Sequence, residues 1–176
     1  MLKPNPSISG RRSMIKRIIS GGQTGVDQAA LKTAKDMAFA IAGFCPKGGL
    51  DENQVNSLIS FPELTEAAST APEDRTKRNI EASDGSLIVV PSWPLPQNSK
   101  DGTQFMIDYC QRQKKPFIII SLNHKGGSVE KIKAWINANR IRSLNIGGPR
   151  ESSSPGIYEQ SCELFKELFT QLKSAK

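Results

Sequence analysis

The sequence is poor in the residues that metal and hydrolytic centres use. Its one histidine, His124, excludes a two-histidine metal site and argues against a Ser-His-Asp triad. Its three cysteines, Cys45, Cys110 and Cys162, are odd in number and show no Cys-x-x-Cys spacing. That excludes a disulfide scaffold and a four-cysteine zinc site, so the expected setting is a reducing cytoplasm. No apolar run approaches the ~18 residues that span a bilayer, so no membrane helix is expected. The apolar stretch 15–20 is too short for a secretory leader and runs into glycines. Acids are missing from residues 1–17, which hold Lys3, Arg11, Arg12, Lys16 and Arg17. Five of the seven net positive charges therefore sit there, leaving +2 for the rest. Nucleic-acid readers carry a basic stripe on a folded face. The body has no such block, so nucleic acid is not an expected partner. Residues 1–13 read as a flexible basic arm, and Met14 is an alternative start.

What remains fits one globular domain over 14–176. With 37% apolar and 23% charged residues, the 176-residue chain is neither disordered nor collagen-like. Five short apolar runs, at 15–20, 39–43, 86–90, 117–122 and 143–147, alternate with helical patterns at 25–38, 73–82, 102–113, 128–138 and 155–172. The runs Leu87-Ile88-Val89-Val90 and Phe117-Ile118-Ile119-Ile120 are unbroken, which suits strands buried on both faces of a parallel sheet. This alternation predicts a three-layer α/β fold with right-handed crossovers. The least regular stretch, 44–71, reads as a long loop of the sort that carries function.

Two strand-to-helix loops are rich in glycine. Ser20-Gly21-Gly22-Gln23-Thr24-Gly25-Val26-Asp27 follows the first strand. It reads either as an anion cradle at a helix start or as a tight turn with a capping box, Thr24 at N-cap and Asp27 at N3. Asn145-Ile146-Gly147-Gly148-Pro149-Arg150-Glu151-Ser152 follows the last strand. There Arg150 suits a phosphate or carboxylate at a strand's carboxyl end, or else forms a loop salt bridge with Glu151 or another acid. Ser154 and Pro155 read as the N-cap and first residue of the final helix. Thr70 and Glu73 form another potential capping box. Arg75 and Asn79 share a helix face, which also reads as plain solvated surface. Gly102-Thr103 opens a further helix and offers a further anion site. The cysteines read as packing residues, with Cys45 set apart by its neighbour Lys47. His124 reads as solvated, and Trp93 either stacks on a flat ring or covers the core edge.

Together these segments resemble the putative molybdenum carrier family. The likeness rests on Ser20-Gly21-Gly22-Gln23-Thr24-Gly25-Val26-Asp27, Cys45-Pro46-Lys47-Gly48, Arg75-Thr76 with Asn79 and Ser83-Asp84-Gly85, Gly102-Thr103, and the segment from Leu144 to Ser152 with Pro155-Gly156-Ile157-Tyr158. The resemblance implies a Rossmann-like domain of the SLOG superfamily, circularly permuted so that the last strand is central. The implied order of its five mainly parallel strands is 2-1-5-3-4. It further implies a molybdenum cofactor carrier, holding a phosphorylated pterin or nucleotide-like anion, and pairing of copies into a homo-oligomer. Gly21, Gly22, Gln23, Thr24, Gly25, Gly102, Thr103 and Arg150 would hold the phosphate. Asp27, Lys47, Arg75, Asn79, Asn145, Gly148 and Glu151 complete the expected binding set, with Trp93 or residues 44–54 over the ring. No protein-ligated metal is expected. The alternatives are a nucleotide sensor or a nucleotide N-glycosidic hydrolase. The hydrolase would use Asp27 or Glu151 as its acid or base. Two departures stand out. Asp51-Glu52-Asn53-Gln54 replaces the family's Glu-Asp-Gly, and Met106 stands where related phosphoribohydrolases carry a glutamate.

Overall fold

Strands and helices alternate along the computed structural model, which describes residues 15–99, 101–124 and 126–174. The expected arm over 1–13 lies outside the described residues. The order is β1 (Arg17–Ile19), α1 (Val26–Asp36), β2 (Ala40–Ala42), β3 (Phe44–Cys45), α2 (Ser57–Ser60), β4 (Thr65–Glu66), α3 (Pro72–Glu81), β5 (Gly85–Val90), α4 (Asp101–Arg112), β6 (Phe117–Ser121), α5 (Ser128–Ala138), β7 (Ser143–Gly147) and α6 (Ile157–Ser174).

Five strands form one parallel sheet in the order β2-β1-β7-β5-β6. This numbering differs from the expected 2-1-5-3-4 because the chain has two more strands than expected. β3 and β4 pair with each other in a separate parallel ladder. Counted without that pair, the main-sheet strands stand as 2-1-5-3-4, with the last strand of the chain in the middle. The stretch 44–71 is therefore not a plain loop. Its two-residue strands and four-residue helix are too short for any hydrophobic period to show.

Both sheet faces are covered. β5 alternates with the period of two that a strand imposes. Leu87 and Val89 join a cluster with Val26, Ile132, Leu144, Phe165 and Phe169, from α1, α5, β7 and α6. Ile88 and Val90 face the other way, onto Ile80 of α3 and Met106 and Ile107 of α4. All six β5 residues are buried. β6 departs from expectation, since Phe117, Ile118 and Ile119 are only half-buried. The reason is its place at the sheet edge, where among the described strands it pairs with β5 alone. A smaller cluster of Leu31, Cys45, Phe61 and Leu64 seats the β3–β4 ladder against α1.

Candidate functional site

β1 and β7 are parallel neighbours, with Ile19 opposite Asn145, so both glycine-rich loops leave the same sheet edge side by side. In open α/β sheets this is where ligands bind. The loops are bonded to each other. Ser20 Oγ donates to the Ile146 carbonyl at 2.6 Å, Val26 N to Pro149 O at 3.3 Å, and Glu151 N to Thr24 Oγ1 at 3.2 Å. Gly25 is the N-cap of α1 at φ +76°, and a Cβ there would lie 2.5 Å from Pro149 O. Only glycine meets both conditions. The expected capping box is not formed, because no side chain caps α1. Thr24 instead donates to Glu52, and Asp27 turns toward α3.

Asp27 forms a buried ion pair with Arg75, Oδ2 to Nη1 at 3.2 Å, each side chain about 11% exposed. The same Nη1 donates to Gly21 O at 2.9 Å. A Cβ on Gly21 would sit 2.3 Å from that nitrogen, so the glycine is what lets the guanidinium lie against the loop. Burial raises the Asp27 pKa above its ordinary value. Arg75, the Gln23 and Gly21 amides and Ser20 pull it back only in part. Arg75 Nε is buried without a hydrogen-bond partner.

On the β7 side, Asn145 Nδ2 donates to Ser86 Oγ at 3.0 Å. Gly148 lies tight against the sheet, where a Cβ would come 2.2 Å from Val89 O. Arg150 is half-buried, its carbonyl accepts from Ser153 N and Ser154 N, and its side chain makes no hydrogen bond or ion pair among the described residues. Glu151 does not pair with it. Its carboxylate instead accepts from Gly156 N and, at 2.9 Å, from Tyr158 N, capping α6. Glu151 thus serves as a cap of α6. The expected Ser154–Pro155 helix start is displaced with it. α6 begins at Ile157, and Ser154 Oγ meets Ser99 Oγ at 2.9 Å. Asn98 Nδ2 adds a bond to Ser153 O at 2.7 Å, so the 3-10 turn Gln97–Ser99 braces the β7 loop. That turn leads into α4, whose first turn closes the far side of the cleft. Around Gly102 a Cβ would meet nothing within 4 Å.

The cleft is lined by ten of the expected residues: Gly21, Gln23, Asp27, Arg75, Asn79, Gly102, Thr103, Asn145, Gly148 and Arg150. Asn79 is otherwise engaged. Its amide accepts from Phe44 N at 2.7 Å and donates to Phe44 O at 3.0 Å, pinning α3 to β3. Gly22, Thr24, Gly25, Lys47 and Glu151 do not line the cleft. Gly22 O accepts from Ser57 Oγ and Gln28 Nε2, while Lys47 is exposed on its turn. Trp93, 48% exposed, lies outside the cleft, and so do residues 44–54. The Thr70–Glu73 box is also unformed, since α3 starts behind Ala71 with Pro72 at its first position and no side-chain cap.

Sequence reasoning missed Asn98, Ser99, Phe105 and Ser153, which also line the cleft beside Met106. For Phe105 helical spacing from Gly102 was the available signal, since positions three and four residues on share its face. Phe105 is the aromatic side chain at the cleft, stacked on Tyr109 with ring centroids 6.0 Å apart. Two features suit an anion here: the positive end of α4, and an Arg150 guanidinium that forms no ion pair among the described residues. Among the described residues no group of three or more His, Cys, Asp or Glu side chains is placed to hold a metal ion. No described helix is long and apolar enough to cross a membrane.

The profile of the circularly permutated YpsA SLOG family matches residues 18–169. The chain is also similar to a solved structure, "Putative molybdenum carrier protein" from Syntrophus aciditrophicus SB. The two are 33% identical with a TM-score of 0.81, over 89% of this chain and 96% of that one. No curated protein matches the chain.

Proposed function

The chain belongs to the circularly permutated YpsA SLOG family, and from that premise we propose that it is a binding protein for a phosphorylated, ring-bearing small molecule. The candidates are a phosphorylated pterin of the molybdenum cofactor type and a nucleotide. The name of the solved relative supports the first. The observation that carries the reading is the open space at Gly102, at the start of α4, on the same cleft as the unpaired Arg150. No packing neighbour among the described residues requires a glycine there, and the open space leaves room for a ligand group. The buried, unpartnered Arg75 Nε adds an unused donor on a residue that lines the cleft. The phosphate would lie against Gly102, Thr103 and Arg150, with Gly21 and Gly148 as backbone walls. Phe105 takes the role of ring neighbour that Trp93 does not fill. These residues fit the anionic end of the cofactor. Molybdenum would arrive as cargo on its pterin, since the described side chains offer no ligand cluster. Three unpaired cysteines agree with the proposed cytoplasmic setting. The homo-oligomer belongs to the same proposal and is read by light scattering.

A second reading, hydrolysis of a nucleotide N-glycosidic bond, is favoured by one observation: Asp27 lies in the cleft with a raised pKa, as an acid catalyst needs. Against it, Asp27 is held by Arg75, Glu151 caps α6, and Met106 lines the cleft where the glutamate would stand. The test is mass spectrometry and absorbance on the supernatant of freshly purified, heat-denatured protein. A near-stoichiometric phosphorylated pterin or nucleotide is the expected result. Ribose phosphate released from an added nucleoside monophosphate, and lost in Asp27→Asn, would establish the hydrolase instead.

A further inference from the structure

The excursion between β3 and α2 contributes no wall to the cleft, yet one of its side chains reaches both loops that do. Glu52 accepts from Thr24 Oγ1 in the β1 loop. It also accepts from Ser152 in the β7 loop, from N at 3.1 Å and from Oγ. Its own backbone N donates to Gln23 Oε1 at 2.9 Å, and Thr24 N donates to the same oxygen at 3.0 Å. Both amide donors thus fix the oxygen end of Gln23, a residue that lines the cleft.

The turn that carries Glu52 is itself held from behind. Asp51 Oδ1 accepts from Asn53 N at 2.8 Å and Val55 N at 3.1 Å, while Asp51 Oδ2 accepts from Gln28 Nε2 at 3.0 Å on α1. A side chain carried on a turn anchored this way is a brace. Charge-assisted bonds to a carboxylate are about twice as strong as neutral ones. Among the described residues three direct bonds join the loops without it, Ser20 Oγ to Ile146 O at the sheet, and Val26 N to Pro149 O and Glu151 N to Thr24 Oγ1 beyond it.

We propose that Glu52 is the positioning residue of the ligand site, a carboxylate latch that sets the spacing of the Gln23 loop and the Arg150 loop without touching the ligand. Its effect on affinity rests on the binding reading above, whereas its effect on the loops does not. The test therefore has two readouts on the full chain. The first is amide hydrogen exchange at Thr24, Glu151 and Ser152, with the β5 amides as internal reference. The second is the Kd for inorganic phosphate by calorimetry.

In Glu52→Ala the three loop amides are expected to exchange about tenfold faster or more, with β5 unchanged. The phosphate Kd is expected to weaken about tenfold, a loss of one buttress rather than of a ligand contact. Glu52→Gln keeps the reach and one acceptor oxygen, so it falls between wild type and alanine in both readouts. It also serves if the alanine variant fails to fold. Asn53→Ala, exposed on the same excursion, leaves both readouts at wild-type values. Unchanged exchange at the three amides overturns the latch, and so does faster exchange with an unchanged Kd. Absence of phosphate binding by the wild type overturns the anion reading instead, and the exchange rates alone then decide the latch.

Discussion

Around one cleft, glycines stand for opposite reasons. A Cβ on Gly21 would strike Arg75 at 2.3 Å, on Gly25 the Pro149 carbonyl at 2.5 Å, and on Gly148 the Val89 carbonyl at 2.2 Å. At Gly102 it would meet nothing within 4 Å. The strand-side glycines are therefore explained by packing and say little about a ligand. The helix-side glycine is explained by neither packing nor turn geometry. The cations divide the same way. Arg75 Nη1 is spent on Asp27 and Gly21, while the Arg150 side chain forms no ion pair among the described residues and acts on Glu52 through its charge. A glycine-rich motif thus marks a close approach, and only the neighbours tell whether protein or ligand comes close.

Breaking the packing side carries the largest effects. Gly43, at φ +143°, has the Ser20 carbonyl 1.9 Å from the place of a Cβ. Gly43→Ala is expected to lower stability by about 3 kcal/mol or more, read by urea unfolding. Arg75→Ala leaves the Asp27 carboxylate buried and unpaired, and a loss of about 3–5 kcal/mol is expected in the same assay.

Gly102→Leu sharpens the other side. Unfolding is expected to stay within about 1 kcal/mol of wild type, because leucine is the better helix former and the space is open. Ligand affinity is expected to fall more than about tenfold, since the side chain would stand in the cleft. A large loss of stability with intact binding would reverse the assignment. Arg150→Ala is expected to change stability by less than about 0.5 kcal/mol. It weakens phosphate binding by about 1.5–3 kcal/mol, the usual worth of a hydrogen bond to a charged group. Lys47→Ala, exposed and outside the cleft, leaves both unchanged.

The two loop carboxylates extend the contrast to pH. Burial, the largest influence on Asp27, raises its pKa above the ordinary 3.8. The folded protein then binds this proton more tightly than the unfolded chain, and stability falls as pH rises from that ordinary value through the raised one. Glu52 behaves oppositely. Burial raises its pKa, but bonds from Ser152 and Thr24 and the charge of Arg150 outweigh it and leave the pKa below the ordinary 4.5. Its contribution is present above that ordinary value and is lost as pH falls through the lowered one. Denaturation against pH should lose the first slope in Asp27→Asn and the second in Glu52→Gln.

The strands and long helices were legible because each carries its own hydrophobic period, as Leu87 and Val89 against Ile88 and Val90 show. The central place of β7 was legible only through family resemblance, since no spacing tells which strands are neighbours. Ten of the expected site residues do line the cleft. The failures were local readings that distant partners overrule. Asp27 meets Arg75, 48 positions away, rather than completing a box with Thr24. Glu52 meets Ser152, 100 positions away. Glu151 spends its charge on the amides of α6. A two-residue strand such as β3 exists only because β4 pairs with it.

The central claim is that an anion settles where the α4 start and the β7 loop meet. It is tested most directly by amide NMR shifts during titration with inorganic phosphate, in wild type and Gly102→Leu side by side. The account predicts saturable shifts at Gly102, Thr103 and residues 147–150 in the wild type, and their loss in the variant. Equal shifts in both proteins, or shifts confined to other parts of the molecule, would contradict it.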